Sequence, residues 1–264
     1  MSETKGESQP ELPESKSKPE GEIKTESKVE EIARKYDFQL LRDEMSYSDE
    51  KFVEYNKLFL AMLDSIVGKT DILLPEEEVT VLDIGSGVFM PYEDALLNFC
   101  MRYNKDPNQT RKVNLILWEG AEDSRSKFVR QEFEDTCYVV MQGGFIEDSS
   151  DVGRVLENIT KESKKDFKSL DIVTMFDLGP SPDFFVVGGD YLSIPLEGVE
   201  PFIKNGGIII LTTSVGGQDK EKAIKTFEKN GFEILVNEKN NYGNMFKAYS
   251  NRYKNVIIAR KKKK

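Results

Sequence analysis

In the run Val-Leu-Asp-Ile-Gly-Ser-Gly, residues 81–87, a carboxylate and two glycines follow directly on an apolar stretch. A turn that only redirects the chain needs one glycine at most. The presence of both Gly85 and Gly87, with Ser86 between them, therefore points to a backbone that must come close to something. Asp83 places an acceptor at the end of the apolar run, facing whatever lies across the turn. Two familiar ligand loops do not fit. The phosphate loop GxxxxGK[ST] is missing, and the dinucleotide pattern GxGxxG fails because its third glycine would be Met90.

Composition narrows the chemistry. The 264 residues include no histidine, which removes Ser-His-Asp catalysis, histidine general bases and the usual zinc ligand sets. Proton transfer falls to Asp, Glu, Lys, Tyr or Cys. Cys100 and Cys137 read as free thiols, too few for a cysteine-only metal site, so no metal centre is expected. A net charge of -10 argues against a protein that coats nucleic acid. The terminal run Arg260 to Lys264 reads as a solvated tail. No apolar run approaches the roughly 18 residues that span a bilayer, and the N-terminus is polar from the start. The expectation is a soluble cytoplasmic protein with no membrane partner.

The elements that must position the opening turn follow from periodicity. Residues 1–27 consist largely of Ser, Glu, Lys, Pro and Gly and are expected to be a disordered acidic arm. Residues 28–78 form a helical extension, in which Phe52, Tyr55, Phe59, Met62, Leu63 and Ile66 recur on one face of a helix over Ser48 to Val67. From residue 79 to 264, strands and helices alternate. Apolar runs at Val79 to Ile84, Val113 to Trp118, Cys137 to Met141, Asp171 to Phe176 and Ile208 to Thr212 predict strands. Between them lie helical or polar stretches, such as Ala121 to Glu134 and Val152 to Lys164. Repeated β-α units imply a parallel sheet with right-handed crossovers. After a helix around Glu221 to Lys229, the runs Asn230 to Glu238 and Lys254 to Lys261 have no good helix between them and should pair antiparallel near the sheet edge. The expected fold is α/β, a three-layer, doubly wound, seven-stranded and mostly parallel sheet. In such a sheet ligands bind beyond the carboxyl ends of the strands.

These motifs carry a resemblance. Val-Leu-Asp-Ile-Gly-Ser-Gly resembles the first motif of the class I S-adenosylmethionine-dependent methyltransferases, and Glu200 to Ser214 resembles the family's turn and fifth strand, with Asn205 where proline is frequent. The resemblance covers about Val79 to Arg260. It implies S-adenosyl-L-methionine as cofactor, with Asp83, Gly85, Ser86 and Gly87 around its amino acid portion. Glu119, at the end of the second strand, would accept hydrogen bonds from both ribose hydroxyls, a task suited to two carboxylate oxygens. Glu147 or Asp148 would accept from the adenine amino group, and Trp118 or Phe145 would offer a flat apolar contact. Asp177, after the fourth strand, points to the cleft where many relatives keep catalytic residues. Leu178 and Gly179 replace the prolines of the amino-methylating motif, so N-methylation is not inferred. Phe89 stands where many relatives carry a third glycine.

The resemblance thus implies a methyltransferase acting on an unidentified acceptor. A methyltransferase-like binding module that no longer transfers methyl groups is the alternative, and a nicotinamide-dependent oxidoreductase a third reading. For the acceptor, the segments Gly179 to Leu192 and Asn240 to Tyr253 combine aromatics, glycine and polar residues, as expected at a pocket rim.

Overall fold

The computed structural model describes residues 49–85, 91–105, 109, 111–119, 128–133, 137–143, 148–167, 169–175, 192–213, 217–239 and 255–263. The first element is helix α1 (Asp49–Val67). Its residues Phe59, Met62, Leu63 and Ile66 are buried at the expected spacing. The helix stops at Gly68, whose N–H bonds back to Asp64 O at 2.9 Å. A Cβ at Gly68 would stand 2.5 Å from that carbonyl, so the tight exit requires glycine.

The remaining elements are β1 (Glu78–Ile84), α2 (Pro91–Arg102), β2 (Lys112–Glu119), β3 (Phe128–Phe133), β4 (Cys137–Gly143), α3 (Ser149–Ser163), β5 (Leu170–Met175), α4 (Ser193–Val199), β6 (Ile203–Thr213), α5 (Gly217–Lys229), β7 (Phe232–Lys239) and β8 (Asn255–Lys261). They build one sheet of eight strands in the order β3-β4-β2-β1-β5-β6-β8-β7. The pairs β1–β2, β1–β5, β2–β4 and β5–β6 are parallel. Strand β8 runs antiparallel between β6 and β7, so the closing pair is antiparallel, as expected from the sequence.

All seven strands expected from the apolar runs are present. The count of seven needs correction, because Phe128–Phe133 adds an eighth, antiparallel to β4 at the edge. That segment lies within the stretch 121–134, expected to be helical or polar. Its sequence, Phe-Val-Arg-Gln-Glu-Phe, offers aromatic and β-branched residues, and only three residues separate it from β4. Both features favour a hairpin over a crossover helix.

Alternation along the strands divides the core. Val79 and Val81 of β1, Val113, Leu115 and Leu117 of β2 and Ile172 of β5 meet α1 and α2. Leu82, Ile84, Ile116, Trp118, Val173 and Met175 meet α3, α4 and α5 on the opposite face. Helix α3 contributes Val152, Leu156 and Ile159, the stripe read from its sequence. Each such side chain, fully buried, stabilises the fold by about 1.5–3 kcal/mol. Three layers result, as expected. Among the described residues no helix is long and apolar enough to cross a membrane.

Candidate functional site

The order of the strands reverses beside β1. The chain moves from β1 outward through β2 and β4, then returns to place β5 and β6 on the other side. The carboxyl ends of β1 and β5 therefore flank the topological switch point, where open α/β sheets bind ligands. The first site residue is Asp83, one before the last of β1. It is completely buried and shares the strand face of Val79 and Val81, toward α1 and α2.

In the parallel register, Asp83 lies beside Thr174 of β5. The Thr174 hydroxyl donates a hydrogen bond to Asp83 Oδ1. Above both stands Tyr92, in the first turn of α2, with its ring edge-on to Phe59 of α1 at a centroid distance of 5.4 Å. Burial pushes the Tyr92 phenol well above its ordinary range, and the negative charge of Asp83 adds to the rise. A hydrogen bond with the Thr174 side chain opposes it, while Glu93 raises it further. Glu93 is itself buried. Two carboxylates, a threonine hydroxyl and a phenol thus gather under the start of α2.

Gly85 follows the strand with φ +76, and its N–H donates to Trp118 O at 2.8 Å. That bond turns the chain over the end of β2. Any other L-residue would be strained at this φ, which explains the first glycine of the motif. Glu119 ends β2 opposite Gly143 of β4, at the same carboxyl edge as Asp83 and Thr174. Its side chain lies outside the described residues. So do Ser86, Gly87, Phe145, Glu147 and Asp177, and both segments expected at the acceptor rim apart from Leu192, which precedes α4.

Asp148 has a local task. It is the N-cap of α3, accepting from the Ser150 backbone N–H at 2.7 Å, while its own N–H donates to Asp151 Oδ2 at 3.0 Å. The Ser150 hydroxyl and N–H hold its carboxyl below the usual range. Trp118 is a core residue, 1% exposed, among the side chains that meet α3, α4 and α5.

Sequence reasoning singled out Asp83 and Gly85 but missed Thr174, Tyr92 and Glu93. A signal for Thr174 exists in hindsight: it is a hydroxyl in the apolar run Leu-Asp-Ile-Val-Thr-Met, one position from the strand end.

A second concavity, of about 450 Å³, opens at the amino edge of the sheet, lined among others by Ile72, Leu74, Arg111, Asp171, Lys204 and Gly206. Its charges serve the fold. Lys204 Nζ pairs with Asp171 Oδ1 at 2.7 Å. The Arg111 guanidinium donates to Cys100 O at 3.1 Å and Tyr103 O at 2.6 Å, closing the end of α2. Among the described residues no group of three or more Cys, Asp or Glu is arranged to hold a metal ion.

Solved structures offer a comparison. The methyltransferase MycE of the mycinamycin biosynthetic pathway, in complex with Mg, SAH and mycinamycin VI, is 11% identical with a TM-score of 0.40. The match covers 91% of this chain and 50% of MycE, so the chain spans half of that protein's length. Loganic acid methyltransferase with SAH is 8% identical with a TM-score of 0.43, over 85% of this chain and 96% of the other. A methyltransferase from Pyrococcus furiosus is 12% identical with a TM-score of 0.38, over 81% and 98%. All three are methyltransferases. No family model and no curated protein matches the chain. The functional reading therefore rests on the side chains at the switch point.

Proposed function

We propose that this protein is an S-adenosylmethionine-dependent methyltransferase acting in the cytoplasm on an acceptor still to be identified. The observation that carries the reading is the acidic character of the first strand-to-helix turn. Asp83 and Glu93 are buried there, and Asp94 stands beside Glu93 in the first turn of α2. A dinucleotide cofactor would set its pyrophosphate on this helix start, against three carboxylates. S-adenosylmethionine has no pyrophosphate; its amino acid portion carries an ammonium as well as a carboxylate, its sulfonium is a second cation, and carboxylates suit both cations. The donor set fits this cofactor and opposes the nicotinamide alternative.

On this reading Asp83 and the backbone of 85–87 take the amino acid portion of the cofactor, and Glu119 takes the ribose. Because the Asp148 carboxylate is occupied in capping α3, Glu147 is the better acceptor for the adenine amino group. The cofactor supplies an already electrophilic methyl group. What remains for the chain is to hold the acceptor in line and exclude water, which needs no histidine. We assign the acceptor's side of the cleft to Asp177 and to residues 179–192 and 240–253, and the cofactor-binding domain to 79–264, with α1 completing its core.

The test has two parts. Titration calorimetry should show S-adenosylmethionine binding by the full chain, and its absence would refute the proposal. Incubation of fractionated cell extract with methyl-labelled cofactor should then transfer label to one class of acceptor. With that acceptor in hand, Asp177→Ala should lower the transfer rate and leave cofactor affinity in place.

A further inference from the structure

We infer that Thr174 is a positioning residue for the cofactor site, acting through the Asp83 carboxylate. The inference rests on the methyltransferase reading and adds to it a residue on a different strand. Asp83 and Thr174 are cross-strand neighbours at the switch point, and neither exposes any surface. A carboxylate on a strand end can turn about its last bond, which would redirect both oxygens. The bond from the Thr174 hydroxyl to Oδ1 restrains that rotation. A donor to an ionised carboxylate is among the stronger hydrogen bonds in proteins, and in a buried setting it has no water competing for it. Tyr92 completes the arrangement. Its ring stands edge-on to Phe59 of α1, and its buried phenol is close enough to the pair to feel the charge of Asp83.

The choice of residue supports a role for the hydroxyl. Every other residue of β5 on this face or the opposite one is apolar except Asp171, at the far end. Valine has nearly the shape of threonine and a higher preference for a buried strand, so packing alone gives no reason for a hydroxyl here. Thr174 also lies three residues before Asp177. The bond therefore joins the turn proposed to hold the cofactor to the strand that leads to the proposed acceptor side.

The test is calorimetry of S-adenosylmethionine binding to the full chain and to Thr174→Val, Thr174→Ser, Asp83→Asn and the Asp83→Asn, Thr174→Val double variant. Loss of a hydrogen bond to a charged group should weaken binding by roughly tenfold or more in Thr174→Val. Thr174→Ser, which keeps the hydroxyl, should recover most of that loss. In the Asp83→Asn background the valine change should have little further effect, because the two residues act as one unit. Thr174→Ala replaces the valine variant if the latter does not fold. Wild-type affinity in the variant lacking the hydroxyl, an equal loss in the serine variant, or additive losses in the double variant would each overturn the inference while leaving the methyltransferase reading intact. A wild-type chain that does not bind the cofactor would overturn both.

Discussion

Thr80 donates its backbone N–H to Asp171 Oδ2 at 2.8 Å, at the opposite end of the same two strands that Thr174 and Asp83 join. Strands β1 and β5 are thus tied at both ends by a carboxylate, once from each strand. The two ends have different duties. At the amino end Asp171 also takes the Lys204 ammonium of β6 at 2.7 Å, while at the carboxyl end Asp83 stands beside the turn assigned to the cofactor.

The amino-end tie should be structural only. Asp171→Ala leaves a buried backbone N–H without its acceptor and should cost about 1–3 kcal/mol of stability. Lys204 is 41% exposed, so its share of that loss is small. Urea unfolding would give the stability change, and calorimetry should find cofactor affinity unaltered.

At the other end the expected outcome is reversed. Asp83→Ala removes a carboxylate from the proposed ammonium site and should weaken S-adenosylmethionine binding roughly ten- to hundredfold, from the 1.5–3 kcal/mol typical of hydrogen bonds to charged groups. Gly85→Val should weaken it as well, since a β-branched residue at φ +76 distorts the turn. Unchanged affinity in folded variants would detach the turn from the cofactor.

Tyr92 should leave its mark in alkali. Its folded pKa lies above the unfolded value near 10, chiefly through burial and then through Asp83. Between the two values the folded state holds more protons than the unfolded chain, so stability is intact below about pH 10 and falls as pH rises beyond it. Tyr92→Phe should flatten that decline, as chemical unfolding at a series of alkaline pH values would reveal.

Removal of residues 1–27 should leave both fold and cofactor affinity in place, because their composition offers no apolar face to dock. Thermal unfolding and calorimetry of the shortened chain provide the check. Aggregation or loss of the cofactor would move the proposed domain boundary toward the N-terminus.

What the sequence revealed, and what it concealed, follows from the range of the interactions. Seven strands were legible because apolar residues dominate each run, most fully where helices cover both faces of the sheet. Strand β3 was not, because Arg130, Gln131 and Glu132 interrupt its apolar residues and its pairing depends on a neighbour beyond a turn. Asp83 and Gly85 could be read because glycine spacing is a local signal. Thr174 could not, since its partner is 91 positions away and only the register of β1 against β5 brings the two together. Asp148, one of the two acids offered as an acceptor for adenine, has a duty that was also written locally, since the pattern Asp-Ser-Ser-Asp that begins with it spells a helix cap.

The position of β8 bears on how the molecule is made. Strand β7 is complete at Lys239, but its neighbour in the sheet is β8, which ends at Lys261, and β6 likewise receives its second neighbour from β8. During synthesis the ribosome therefore delivers β7 before the strand that attaches it. Until β8 emerges, β6 presents a bare edge rich in isoleucine, and β7 has nowhere to bind. The nascent chain passes through a stage open to mispairing and to chaperone capture, and a stop codon shortly before Asn255 should produce an aggregating chain in which the switch point is encoded yet the sheet cannot close.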